Sequence, residues 1–294
     1  MALHHIIPKF ILKGFTINPK AERNEQEIMI YDTSSKKTYI EKINTAYAKE
    51  DFNSEQTEKY LCNGYENNVA KIFQRIKKRA EDNEKDVALS NEEYKLLFKF
   101  FTIMWRRNDI HIEKGRNIIT KIETELKNIF GENYEKMKSE KYKDISLEEY
   151  YTNNETELGQ KLYDKLISST NDNSESVLKN IKNYIPIIVH NKSNIHFILH
   201  NTYGTMDYIV KKESYEVNEF DFPITIIEPI SNNLCFCLMF CNDKIDLDKK
   251  EYKIKIEYWD NDEQIKQFFI NGYITPQATS FVVDDTNIKY LKGE

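Results

Sequence analysis

Residues that interrupt regular structure are scarce in this chain, which has only 8 Gly and 6 Pro among its 294 residues. That scarcity excludes collagen-like and Pro/Gly-rich disordered architectures. No Gly-rich phosphate loop of the P-loop or dinucleotide-binding type can be found, which argues against a small-ligand enzyme built on one. Long apolar runs are lacking too. No window approaches the roughly 18–20 apolar residues of a bilayer-spanning helix. The apolar "IIPKFIL" has neither the basic flank nor the small-residue cleavage site of a secretory signal. Cysteine is sparse at 4 residues, Cys62, Cys235, Cys237 and Cys241, without the spaced pairs of a disulfide framework. These absences lead us to expect a soluble cytoplasmic protein with no membrane partner. Positive charge is not in excess, and a net charge of −6 disfavours non-specific wrapping of nucleic acid. Nucleic acid or nucleotide phosphate at a local site, or another protein, are the partners left.

Apolar material is plentiful: 40% of residues are hydrophobic and 13% aromatic, enough for a packed core. "EIMIYD" and "KTYIEKI" alternate like strands around "TSSKK", which predicts a hairpin. "SEQTEKYLCNGYENNVAKIFQRIKKRA" has helical spacing, with Leu61, Tyr65, Val69, Ile72, Phe73 and Ile76 on one face and Glu66 at its border. Its basic run, Arg75 to Arg79, reads as a solvated helix end. In "SNEEYKLL", Ser90 and Glu93 form a capping box that starts a helix expected to reach about Phe130. Ser146 and Glu149 in "SLEEYY" repeat the device, and Asp260 with Glu263 reads as a further cap. After "YIPIIVH" come strand patterns in "IHFILH", "MDYIVKK", "PITIIEPI", "LCFCLMF", "YKIKIEYW" and finally "TSFVVDD". The order predicts an α+β fold in a single compact domain, 1–294: strands over 1–50, helices over 51–184, and a mainly antiparallel sheet with one helix over 185–294.

Histidines draw attention to chemistry. On the helix from Leu97 onward the apolar residues fill a stripe roughly 100° wide, interrupted by Asn108, His111 and Gly115. Polar groups on a buried face need partners or a ligand, so His111 and Asn108 are candidates for the floor of a polar pocket, with Arg107 holding an anion. A satisfied core pair or a kink at Gly115 would produce the same pattern. Glu66 could meet Arg107 if the two helices pack. Cys235 and Cys237 share a strand face, with sulfurs expected roughly 6–7 Å apart at about 3.3 Å per residue, and read as buried core thiols. His196 and His200, on one expected strand, would lie roughly 13 Å apart. With His190 they read as surface or satisfied core residues.

"HHIIP", His4 to Pro8, reads as a strand entering a proline turn, with His4 and His5 on opposite faces. Its letters resemble the strand of HNH nucleases, a likeness that implies His5 as the base and His4 as a metal ligand. That module's Asn and His on a following short helix are missing. A longer pattern runs through "HHIIPKFILKGF", "IMIYD", "INTAYAKEDF", "TEKYLCNGYENNVAKIFQRI", "FFTIMWRR", "PITIIEPISNN" and "INGYITPQATSFVV". It resembles the bacterial domain-of-unknown-function family 4238 over nearly the whole chain. That resemblance implies a site made of His5 with Pro8, Glu66, Arg107 and Asn271. The family's acid-containing strand end is replaced here by "FILHNTY", with Asn201 where the acid stands.

Together these readings frame a metal-dependent phosphodiesterase or nuclease-like effector, of the kind used in phage or mobile-element defence. Its catalytic residues would be His5, Glu66, Arg107 and Asn271, with His4 and His111 holding a divalent metal. The alternative is a non-catalytic sensor or interaction module in which the His, Glu and Arg cluster is a structural lock.

Overall fold

The structure, a computed structural model, describes residues 3–50, 55–106, 123–137, 145–146, 149, 184–201, 224–240, 246, 249–266 and 278–292. It is α+β. Strand β1 (Leu3–His5) leads through Pro8 into the short helix α1 (Lys9–Leu12). The hairpin β2 (Glu27–Asp32) and β3 (Lys37–Lys42) and the short strand β4 (Ala48–Glu50) follow. Helix α2 (Glu55–Leu61) passes through a π turn, Cys62–Glu66, into α3 (Asn67–Glu81). Strand β5 (Asp86–Ser90) precedes α4 (Asn91–Arg106). Later come β6 (Tyr184–Asn191), β7 (Leu199–His200), β8 (Ile224–Pro229), β9 (Leu234–Phe240), β10 (Glu251–Trp259) and β11 (Ser280–Val283).

The described residues form three sheets. β1 pairs with β4; a five-stranded sheet runs β5-β10-β6-β9-β8; a four-stranded sheet runs β3-β2-β11-β7. Among the described residues only the β10–β6 pairing is parallel. Helices α3 and α4 cover the five-stranded sheet, where Phe101 stacks on Phe236 of β9 at 4.8 Å and Tyr94 on Tyr252 of β10 at 4.1 Å. The main hydrophobic cluster joins Ile7 and Ile11 of the N-terminal segment, Ile28 and Ile30 of β2, both helices and the five-stranded sheet.

Local signals explain much of this. In the β2–β3 turn, Asp32 accepts hydrogen bonds from the Ser34 hydroxyl at 2.6 Å and the Ser35 amide at 2.7 Å, which hold its carboxyl down at about 2. The Ser90–Glu93 box forms in both directions: the Glu93 amide donates to Ser90 Oγ at 3.2 Å and the Ser90 amide to Glu93 at 2.9 Å. The Glu149 amide likewise donates to Ser146 Oγ at 2.8 Å. All six apolar residues of the face from Leu61 to Ile76 are buried. Helix α4 is buried more widely than one stripe, since Phe98 and Ile103 join Leu97, Phe100, Phe101 and Met104.

Several expectations need correction. The cap before Glu263 is Asn261, not Asp260: its side-chain oxygen accepts from the Glu263 and Gln264 amides at 2.9 and 3.3 Å. "IHFILH" is strand only at Leu199–His200. Its earlier amides bond to turns, Phe197 to the Asn232 carbonyl and His196 to Thr286 Oγ1, so no ladder extends there. β5 lies inside the stretch expected to be helical, and a short helix, Ile288–Lys292, follows the last strand. The sulfurs of Cys235 and Cys237 are 3.7 Å apart, because side chains on one strand face can lean together although their Cα atoms cannot. The "MDYIVKK" strand and the residues between α4 and position 123 lie outside the described residues.

Candidate functional site

The opening segment is held by backbone geometry first. Within β1, His4 and His5 face Lys49 and Ala48 of β4 in a regular antiparallel register, which sends the two imidazoles to opposite faces. Both are nevertheless buried, at 7% and 8% exposure. Beyond the ladder, the Ile6 amide donates to the Tyr47 carbonyl at 2.8 Å. Pro8, with φ −56° and ψ 139°, then turns the chain into α1, and its carbonyl accepts from the Ile11 and Leu12 amides. A proline suits this point because its missing N–H would have no helical partner.

His5 Nε2 lies 3.0 Å from the carbonyl oxygen of Ile43. A carbonyl can only accept, so Nε2 carries the proton and Nδ1 is the basic nitrogen of the neutral ring. Orientation of a histidine through a backbone carbonyl is a device that fixes which nitrogen does the chemistry.

The same segment is pressed against the helices. The Phe10 ring lies 5.9 Å from that of Phe73 on α3 and 5.7 Å from that of Phe100 on α4. Glu66 ends the π turn and is half-buried. The preceding residue, Tyr65, is buried, and its hydroxyl lies 2.7 Å from that of Tyr60. Helical π turns are frequent at functional sites, and this one ends at Glu66, immediately before α3. Arg107 follows the last described residue of α4, and Arg107, His111, Asn108 and Asn271 lie outside the described residues. Among the described residues, then, α1, which follows the strand of His5, packs through Phe10 on Phe73 of α3, the helix that follows Glu66, and on Phe100 of α4. No group of three or more His, Cys, Asp or Glu side chains is arranged to hold a metal ion among the described residues.

Other candidates resolve into structure. The basic run is occupied: Arg75 pairs with Glu93 at 2.7 Å, and Arg79 with Glu84 at 2.5 Å. Asn201 accepts from the Thr279 and Ser280 amides through Oδ1 and donates to Thr279 Oγ1 at 2.9 Å, tying the end of β7 to the start of β11. A carboxylate could accept the same two amide protons, so the position serves pairing with either side chain. His196 Nδ1 is bonded to Asp284 at 2.5 Å, and this bond raises the histidine's pKa. His200 and His190 are buried, and burial lowers the pKa of each.

Sequence reasoning missed Glu228, a carboxylate only 2% exposed on β8, opposite Phe236 of β9. The Cys235 thiol is pushed up chiefly by burial, with contributions from Cys237 and the Glu228 charge. The signal was present as an acid in the otherwise apolar run "PITIIEPI". Gly14 was also missed: a Cβ there would sit 2.6 Å from the Ile230 carbonyl oxygen and 2.8 Å from Ser231 Cα.

These features define an α+β protein whose histidine- and proline-bearing N-terminal segment is packed against a helix pair. A family model described as "Protein of unknown function (DUF4238)" matches residues 3–287, and the chain belongs to that family. No curated protein and no solved structure matches it. Among the described residues no helix is long and apolar enough to cross a membrane.

Proposed function

We propose that the chain is a hydrolase acting on phosphodiester bonds of nucleic acid or nucleotides, with His5 as its general base. The observation that carries this reading is the His5–Ile43 hydrogen bond. In a neutral ring it puts the proton of this buried imidazole on Nε2 and leaves Nδ1 as the basic nitrogen, the form a general base needs. Glu66 and Arg107 enter as the acid and the phosphate clamp, and Asn271 as a further polar contact. His4 is on the opposite face of β1 from His5, so a divalent metal bound by His4 and His111 would lie away from the base. A metal beside His5 would draw its ligands from elsewhere. A role as a nuclease-like effector in phage or mobile-element defence is the biological form of this reading.

A second reading is supported by the burial of His5 and its bond to a main-chain carbonyl. In it, His5 locks the N-terminal segment to the loop carrying Ile43, and the protein is a sensor or interaction module. His5→Gln separates the two, because the glutamine amide can still donate to Ile43 but cannot act as a base. The substrates to test are bis(p-nitrophenyl) phosphate and single- and double-stranded DNA and RNA, with and without divalent metal. Hydrolysis by the wild type, lost in His5→Gln while its melting temperature is kept, supports the enzyme. Absence of hydrolysis in the wild type, or equal activity in the variant, rules out His5 as the base.

A further inference from the structure

The open edge of the four-stranded sheet is β3, whose side chains are nearly all exposed, among them Tyr39 at 47% and Ile40 at 55%. Its backbone parity can be read from the neighbouring bonds. The Ile43 amide donates to the Gln26 carbonyl, while the Glu27 carbonyl points away from β3 to accept from Ile17. With the β2–β3 register of Lys37↔Asp32, Tyr39↔Ile30 and Glu41↔Ile28, those three β3 residues bond inward to β2. Thr38, Ile40 and Lys42 therefore direct their N–H and C=O groups outward; the Lys42 carbonyl is taken by the Thr45 and Ala46 amides, while among the described residues nothing pairs with the N–H and C=O groups of Thr38 and Ile40. Apolar layers run out to this edge on both faces, Ile30 to Tyr39 on one and Met29 to Ile40 on the other.

We propose that two copies of this chain associate through antiparallel pairing of β3 with β3, making the two four-stranded sheets continuous. Self-pairing must oppose outward residues to outward residues. That requirement leaves two central registers, Tyr39 opposite Tyr39 or Ile40 opposite Ile40. Charge chooses between them. The Tyr39 register sets Lys37 opposite Glu41 twice by symmetry, at the closely spaced positions where cross-strand pairs interact most. The Ile40 register sets Glu41 against Tyr39 and Lys42 against Thr38, with no opposite-charge pair. In the Tyr39 register Lys42 falls opposite Lys36, but Lys42 is already paired with Glu25 at 2.7 Å. Lysines at edge strands ordinarily repel a partner; here Glu41 and Glu25 answer Lys37 and Lys42.

Sedimentation across a concentration series, from low micromolar to the limit of solubility, tests the proposal. Wild type is expected to show a monomer–dimer equilibrium. Glu41→Lys sets lysines opposite one another twice and should weaken association about tenfold. The double exchange K37E/E41K restores opposite charges in this register only and should recover most of the loss. Ile40→Pro removes an outward N–H without touching the β2 ladder and should abolish the dimer while the circular dichroism spectrum is retained. A wild type that is monomeric throughout overturns the proposal. So does a dimer indifferent to Glu41→Lys and Ile40→Pro, or a double exchange no better than Glu41→Lys alone.

Discussion

His200 gives the sharpest quantitative test of the fold. It sits on β7, opposite Phe281 of β11, with 1% of its surface exposed. Burial pushes its pKa down from 6.5 to about 3. The unfolded chain accepts a proton near the ordinary value, whereas the folded chain refuses it until far lower pH. Stability from this group is therefore fully present above 6.5 and falls as pH drops from 6.5 toward 3. Between about pH 7 and about pH 5 the loss is about 2 kcal/mol, from 1.36 kcal/mol per pH unit below the unfolded pKa. His190, also lowered by burial, acts in the same direction. His196 opposes both, because its pKa is raised; its contribution is complete below 6.5 and is lost as pH rises through its folded value. His200→Leu removes one titration and leaves the other two. Urea unfolding at both pH values should show the wild type losing about 2 kcal/mol more than the variant. Equal losses in the two proteins would refute the assignment of this acid sensitivity to His200.

Asp284→Asn should bring the His196 midpoint down toward 6.5, as followed by the imidazole proton resonances, because the Asp284 bond is the main cause of its rise; an unmoved midpoint would sink that cause. Gly14→Ala forces a Cβ against the Ile230 carbonyl and should cost about 1–3 kcal/mol in chemical unfolding, as overpacking against backbone does. Free substitution there would show that the β8–β9 turn yields. Deleting residues 1 to 12 removes Ile7, Ile11 and Leu12, all fully buried, at about 1.5–3 kcal/mol each. The truncated chain should melt well below the full one, and an unchanged melting temperature would make the segment dispensable.

What could be read from the sequence was local. The β2–β3 hairpin, the Ser90–Glu93 box and the buried face from Leu61 to Ile76 depend on neighbours a few residues away, and each formed as expected. β5 did not announce itself, because "DVALS" is short and its partner is the distant segment Glu251–Lys255 of β10. Asn261 was passed over for its neighbour Asp260, since residue type alone does not say whose oxygen reaches the helix amides. "IHFILH" has the alternation of a strand, but its amides are claimed by Asn232 and Thr286, which only the tertiary fold brings near. At the candidate site, His5 was legible from "HHIIP". The Ile43 carbonyl that fixes its tautomer was not, because a main-chain acceptor 38 residues away leaves no mark in a pattern of side chains.

The segments of the family-like pattern that the structure describes meet around the N-terminal segment, and that bears on what His5 can do. The Gly14 carbonyl accepts from the Asn232 amide in the "EPISNN" turn. That turn also accepts through Asn233 from the Asn191 amide of β6 and through Asn232 from Phe197. On its other side, Phe10 rests between Phe73 and Phe100, and Tyr47, whose carbonyl receives Ile6, places its hydroxyl 3.2 Å from Ser280 Oγ of β11. A segment of about a dozen residues is thereby tied to both helices and both large sheets. A side chain on so constrained a backbone loses little further entropy when it is oriented, which is what a positioned base requires. The same ties mean that a substitution at Gly14 or Phe10 can disturb His5 through its backbone without touching the ring. Activity lost in such variants would therefore report on position, and only a change that keeps the Ile43 bond, as His5→Gln does, reports on the chemistry of the ring itself.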